Sequence, residues 1–245
     1  MTAHSAHDRL VRKLESITNL SREETQALRG LPMTIRRLDE NADVVREGDR
    51  PTQCCLLVDG FLFRYIMLQT GGRQITSLHV PGDMPDLQSL HLEVMDHSLG
   101  VLAPSTVAFI PHAAIHDLVE RYTGIASALW RDTLVDAAIF REWIANVGGR
   151  SAHQRAAHLM CEFVSKMKAV GLGTDEACPF PLTQQEIGDA LGLSVVHVNR
   201  TLQQLRAEGL IVLKGKHLSI PDWEALKQVA GFDPAYLHVN RRAAA

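Results

Sequence analysis

Residues 182–202 read LTQQEIGDALGLSVVHVNRTL, and two capping signals on either side of one glycine leave this stretch few ways to fold. Thr183 followed three residues later by Glu186 is a capping box, in which each side chain satisfies the other residue's backbone N–H. It opens a helix whose apolar positions are Ile187, Ala190 and Leu191. Gly192 falls where a tight turn needs positive φ, Leu193 can plug a small core, and Ser194 is suited to cap a second helix with Val198, Leu202 and Leu205 facing inward. Two short helices joined by a turn of about three residues form a helix-turn-helix. The segment GLIVLKGKHLSI follows and reads as a short strand, a lysine-flanked turn at Gly215 and another strand, the pattern of a wing.

The middle of the chain differs. From about Ile35 to Pro111, short apolar runs (CCLLV, FLFRYIML, QITSLHV, TVAFI) are separated by EGDRP, DG, TGGR, PGD and APS. Turn residues at that spacing predict an antiparallel barrel or sandwich. Gly71 and Gly72 suit a hairpin, and residues 85–98 break the strands with a short helix and loop. Residues 8–29 read as helical, with Leu10, Leu14 and Ile17 in phase and a second capping box at Ser21 and Glu24.

From His112 to Val147 no proline occurs, and Tyr122, Ala126, Leu129, Thr133, Ala137, Phe140, Ile144 and Val147 step by three and four. With Trp143, these predict a long helix with a broad apolar face, able to pack on a second copy or on its own barrel. Gly148 and Gly149 are read as its stop and hinge, Arg150 as the start of the next helix, GLGTDEACPFP as a loop, and DWEALKQVAGF as a last helix. The predicted fold class is α+β: an N-terminal β-jelly-roll barrel, a long dimerisation helix and a C-terminal winged helix-turn-helix. The domains are read as 1–121, 122–148 (helix and hinge), 149–222, and an extension over 223–245.

The second helix of the quoted stretch offers Val195, Val196, His197, Asn199, Arg200 and Gln203, a mixed set able to meet base edges and phosphates. Thr183, Gln184, Ser194, Lys214 and Lys216 complete the candidate DNA-binding residues. A helical hairpin without a nucleic-acid role is the plainer alternative, but matched caps followed by a basic hairpin favour DNA. The net charge of −3 does not announce such a partner, and residues 149–222 carry eight Lys/Arg against seven Asp/Glu. Positive charge must therefore act locally, through Arg200, Arg206, Lys214 and Lys216.

Residues 31–220 as a whole resemble the CRP/FNR family of bacterial transcription regulators. REGDRPTQCCLLVDGFLF is similar to that family's barrel strands, VPGD to its next turn, and LTQQEIGDALGLSVVHVNRTLQQLRAEGLI to its DNA-binding signature. The resemblance implies a homodimer whose recognition helices enter successive major grooves of a palindromic operator, roughly 34 Å apart. It also implies RNA polymerase as a partner and a cytoplasmic setting. The absence of an apolar leader or membrane-length run, and cysteines without disulfide or zinc spacing, fit that setting.

Two departures matter. Family members that read DNA with a glutamate and an arginine have the glutamate where Val196 stands, whereas Arg200 matches the arginine and Asn199 replaces a small residue. Valine can offer only an apolar contact, such as to a thymine methyl, so a different half-site is expected, with Arg200 on guanine O6/N7 and Asn199 or His197 adding a contact. Members that bind cyclic AMP carry Gly-Glu and Arg-Ser in the barrel. Asp86 and Leu87 stand at the first pair here, His97 and Ser98 at the second, and Phe140 and Arg141 where the long helix would meet the base. These six are the effector-pocket candidates. They lack the ribose acceptor and the bidentate cation, so an unknown small effector, or none, is expected rather than cyclic AMP.

No cofactor or metal is expected. No cysteine precedes Cys54, which argues against the family's iron–sulfur cluster. Among the histidines His79, His91 and His97 lack a ligating partner for haem. Cys54 and Cys55 point to opposite faces of a strand, and they and Cys161 read as core residues, with a redox role left open. The alternative function is a cupin-like ligand- or metal-binding barrel with the helix-turn-helix as an interaction module, but His91, Glu93 and His97 do not give the paired histidines such a site needs. No nucleophile elbow, phosphate loop or dinucleotide fingerprint marks an enzyme.

Overall fold

The computed structural model describes residues 3–239, with side chains from Ser5; the end of the expected C-terminal extension, 240–245, lies outside the described residues. The chain divides into two compact units. The first takes residues up to Ile66, Leu78–Ala137 and the end from His238; the second takes Met67–Ser77 and Ala138–Leu237.

In the first unit, helix α1 (Ala3–Ile17) starts five residues before the predicted helical stretch, because Ala6 extends the buried series Leu10, Leu14, Ile17 by one turn. Helix α2 (Arg22–Arg29) carries the predicted capping box: Ser21 Oγ accepts the Glu24 N–H at 3.2 Å and the Glu24 carboxylate accepts the Ser21 N–H at 2.8 Å. The strands are β1 (Thr34–Leu38), β2 (Asp43–Val45), β3 (Gln53–Met67), β4 (Arg73–His79) and β5 (Ser98–Pro111). Of these, β1, β5 and β3 form an antiparallel, jelly-roll-like sheet in that order, with β2 also on β5, rather than a closed barrel; most of β4 belongs to the second unit.

The DG and APS segments, read as turns, lie inside single long strands. At Asp59-Gly60 the β3–β5 register shifts, Gly60 has φ 89°, and the Phe61 N–H donates to Ser105 Oγ at 3.0 Å. These residues bend the strand as bulges without ending it. Gly71 does take positive φ in the β3–β4 hairpin, and Gly72 does not. Residues 87–90 form the expected short helix, as a 3-10 turn.

The run CCLLV is continuous because both faces of β3 are covered. Cys54, Leu56 and Val58 face a core with α1, α2, helix α3 (His112–Arg121) and the first turns of helix α4 (Thr123–Gly149). Cys55 and Leu57 face a second core with Leu62, Met95, Leu99, Val101 and Val107 inside the curled sheet. Each fully buried leucine here contributes roughly 1.5–3 kcal/mol.

Helix α4 corrects two readings. It runs through Gly148 and Gly149, which are helical, and the break falls at Arg150. There Ser151 and Gln154 form a third capping box, opening helix α5 (Ala152–Ala169). The predicted apolar face also mixes two phases. Ile125, Ala128, Leu129 and Trp143 are buried, whereas Trp130 (67% exposed), Leu134 (50%) and Ile144 (73%) line the outer side.

The second unit packs α5 against helix α6 (Gln184–Leu191), helix α7 (Val195–Ala207) and helix α8 (Trp223–Ala230). Strands β6 (Ala177–Pro179), β7 (Val212–Lys214) and β8 (His217–Ser219) form a small sheet in the order β6-β8-β7. β6 lies in the segment read as a loop; Cys178 pairs with Leu218 and is buried there. Polar contacts tie the last turns of α4 to α5 and to Arg150 just before it, and a third holds the same α5 carboxylate from Tyr236. Trp143 Nε1 donates to Glu162 Oε1 at 2.9 Å, Arg150 Nη2 donates to Glu142 Oε1 at 2.6 Å, and Tyr236 Oη donates to the other Glu162 oxygen at 2.7 Å. Burial raises the Glu162 pKa, and a carboxylate in such a place requires those donors.

Candidate nucleic-acid interface and sensor interior

The quoted stretch folds as its caps dictate. Thr183 Oγ1 accepts the Glu186 N–H at 3.2 Å, and the buried Glu186 carboxylate accepts the Thr183 N–H at 2.7 Å. Gly192 ends α6 in the left-handed region at φ 65°, Leu193 is half-buried beneath the turn, and Ser194 Oγ accepts the His197 N–H at 3.3 Å to start α7. Val198, Thr201, Leu202 and Leu205 are buried, which leaves Val195, Val196, Asn199, Arg200 and Gln203 on one exposed face, with the His197 side chain also exposed. Val196 is 71% exposed, an apolar group with nothing within the unit to cover it.

Gln184, at the first turn of α6, reaches this face: Asn199 Nδ2 donates to Gln184 Oε1 at 3.2 Å and the amide is held in one orientation. Arg155, unremarked in the sequence, fixes the other end of α6 by donating to Leu191 O at 3.1 Å. Lys214 and Lys216 flank the turn of the β7–β8 hairpin, where Gly215 and Lys216 both have positive φ (58° and 60°), as a two-residue type I′ connection requires. A shallow groove of about 300 Å³ is lined by Thr183, Gln184, Arg206, Lys214 and Lys216 among others. All eleven candidate DNA-binding residues thus lie on α6, α7, their caps or the hairpin of one unit.

The first unit holds four of the six effector-pocket candidates. Asp86 is 2% exposed and accepts the Cys55 N–H at 2.8 Å. Burial lifts its carboxyl from 3.8 to about 7, against the pull of the Cys55 N–H, its own N–H and Arg64. Leu87 is buried in the apolar core. His97 is buried, with Nδ1 donating to Asp96 Oδ1 at 2.6 Å and Nε2 accepting from Gln88 Nε2 at 3.2 Å. Burial first and Arg64 second lower its pKa, so it is no cation near neutral pH. Ser98 Oγ accepts the Glu47 N–H at 3.0 Å. Phe140 is half-buried and Arg141 exposed on the second half of α4.

Sequence reasoning missed the charge that organises this interior. Arg64 of β3 is buried, with Nη1 donating to Asp136 Oδ2 at 2.9 Å and Nη2 donating to Pro85 O. Nearby, Lys13 Nζ lies 2.6 Å from Asp83 and 3.5 Å from Asp132. Burial would lower the Lys13 pKa, but Asp83 and Asp132 outweigh it and hold the ammonium raised. A lone basic residue in FLFRYIML gave no sign of its partner 72 residues away.

The four cysteines are free and buried, and burial pushes every thiol up, Cys161 and Cys178 to about 12. Such thiols are poor nucleophiles. Among the described residues no group of three or more His, Cys, Asp or Glu could hold a metal ion, and no helix is long and apolar enough to cross a membrane.

Comparison with known proteins agrees with this layout. Residues 35–122 match the cyclic nucleotide-binding domain and residues 154–229 the Crp-like helix-turn-helix domain. The chain is 24% identical to Electron transport regulator A of Shewanella oneidensis, over 79% of this chain and 77% of that protein. It is likewise 24% identical to the transcriptional activator protein anr of Pseudomonas aeruginosa, over 87% of each. Among solved structures, FixK2 from Bradyrhizobium japonicum superposes with a TM-score of 0.75 at 20% identity, covering 83% of this chain and all of that one. These matches give the cupin-like alternative no support. A cyclic nucleotide-binding domain joined to a Crp-like helix-turn-helix places the chain in the CRP/FNR family of transcription regulators, to which it belongs.

Proposed function

We propose that the protein is a cytoplasmic homodimer that binds a palindromic operator through α7, in contact with RNA polymerase, and that its work is binding rather than catalysis. The observation that carries this reading is the exposed face of α7 beside a basic hairpin. Arg200 reads guanine O6/N7 from that face, and Asn199, aimed by Gln184, contributes a second polar contact. Val196 meets an apolar edge such as a thymine methyl. Lys214 and Lys216 take phosphates, which position the helix without reading sequence. Trp130, Leu134 and Ile144 on the outer side of α4 are the apolar groups that a second copy would cover.

Cyclic AMP fits the sensor poorly. Position 97 holds a neutral histidine already engaged by Asp96 and Gln88, and Asp86 is turned to the Cys55 backbone. The test is selection of a palindrome from random DNA, then affinity at fixed salt for wild type and Arg200→Ala, with and without cyclic AMP. The expected result is nucleotide-independent binding, and a loss of about 1–3 kcal/mol in Arg200→Ala together with preference at one guanine. An unaltered preference removes Arg200 as the reader, and binding only with cyclic AMP overturns the account of the sensor.

A further inference from the structure

The first half of α4 is seated on its unit by two ion pairs one helical turn apart. Asp132 lies 3.5 Å from Lys13 of α1, and Asp136 lies 2.9 Å from Arg64 of β3. In the pair from β3 the cation is the more enclosed partner: the Arg64 side chain is 5% exposed and that of Asp136 33%. A guanidinium so deeply placed is tolerable only while its acceptors stay in position. Its acceptors include a helix side chain, Asp136, and a main-chain oxygen, Pro85 O. Asp86 and His97 both feel its charge. Arg64 thus joins the interior of the sheet, where Asp86 and His97 stand, to the long helix.

We propose that Arg64 is a positioning residue that acts as a built-in effector. Its guanidinium, held by covalent attachment inside the sensor, seats Asp136 and sets α4 in the state competent for DNA without any small molecule. An added ligand can shift an equilibrium only by its differential affinity for two states, and a tethered group of fixed occupancy biases it permanently. Cutting the guanidinium off at Cβ leaves a hole shaped for a small planar cation and faced by the Asp136 carboxylate and Pro85 O. Arg64→Ala is therefore a regulator that answers to free guanidinium.

This inference rests on the DNA-binding reading above, so its test has two readouts. The first is affinity for the selected palindrome of wild type, Arg64→Ala, Asp136→Asn and the double variant, in millimolar guanidinium chloride against sodium chloride of equal ionic strength. The second is hydrogen exchange of the α4 amides around Asp136 in the same samples, which needs no DNA. Expected are ligand-free binding by wild type, a loss of about tenfold in Arg64→Ala with faster exchange near Asp136, and recovery of both by guanidinium but not sodium. The double variant, lacking the carboxylate, is not rescued.

Arg64→Ala with wild-type affinity and exchange overturns the proposal, as does a folded Arg64→Ala that guanidinium leaves unchanged in both readouts. Should Arg64→Ala fail to fold, Asp136→Asn decides: about tenfold weaker binding supports the seat, and unaltered binding sinks it. If wild type selects no DNA at all, the functional reading fails, and exchange alone still decides whether Arg64 seats the helix.

Discussion

Asp86→Asn removes one ionisable group from the sensor interior while leaving an oxygen to accept the Cys55 N–H at 2.8 Å. In the folded protein the Asp86 carboxyl sits at about 7 against an ordinary 3.8, burial being the largest cause. A raised folded pKa means that the native state holds the proton more tightly than the unfolded chain. The resulting stability is fully present below pH 4 and is lost as pH rises through 7. At about 1.36 kcal/mol per pH unit the whole gap is worth on the order of 4 kcal/mol, of which roughly 2–3 kcal/mol falls between pH 5 and pH 8. His97, whose pKa is lowered, works in the opposite direction: its contribution is lost as pH falls. The difference between wild type and Asp86→Asn cancels that background. Urea unfolding of both proteins at pH 5, 6.5 and 8 should show the variant gaining on wild type by roughly 2–3 kcal/mol across the range. Parallel pH profiles would refute the reasoning, because they would mean that Asp86 is ionised in the fold at pH 5 and that Arg64 and the backbone donors outweigh burial.

Ile144→Glu places a charge on the outer stripe of α4, at a side chain 73% exposed, and should shift the dimer toward monomer by tenfold or more in sedimentation, at an order of magnitude of 1–3 kcal/mol. A monomeric wild type, or an unaltered dimer in the variant, would show that this face is not the contact. Gly192→Ala should cost about 1 kcal/mol in thermal unfolding and Gly192→Asn less, since φ is 65° and the nearest atom to an added Cβ, on Val147, is at an ordinary 3.7 Å. An equal cost for the two would point to packing as its source.

What the sequence made legible was local. Ser21 with Glu24, Thr183 with Glu186, and Gly192 before Ser194 each state their geometry within four residues, and each appears as read. The third capping box, Ser151 with Gln154, was equally legible but was overshadowed by Gly148-Gly149. Helical glycine costs only about 1 kcal/mol, and the contacts of Trp143 and Glu142 with α5 and Arg150 support the last turns. Asp59-Gly60 misled for a related reason: one dipeptide serves a turn and a bulge alike, and only the partner strand decides. Arg64–Asp136 and Lys13–Asp132 join residues 72 and 119 positions apart (64 to 136, 13 to 132), and no periodicity announces such pairs.

The first of these misses bears on how the second unit is held together. A hinge at Gly148-Gly149 would leave the end of α4 free to turn against α5. Instead α4 is helical through both glycines, and Trp143 and Glu142 tie its last turns to Glu162 of α5 and to Arg150. Arg155, in the first turn of α5, then donates to Arg150 O at 2.9 Å and to Leu191 O at 3.1 Å, so the end of α6 is held to the α4–α5 corner. The corner of α4, α5 and α6 is therefore braced within the second unit, and a bend there has to break these contacts first.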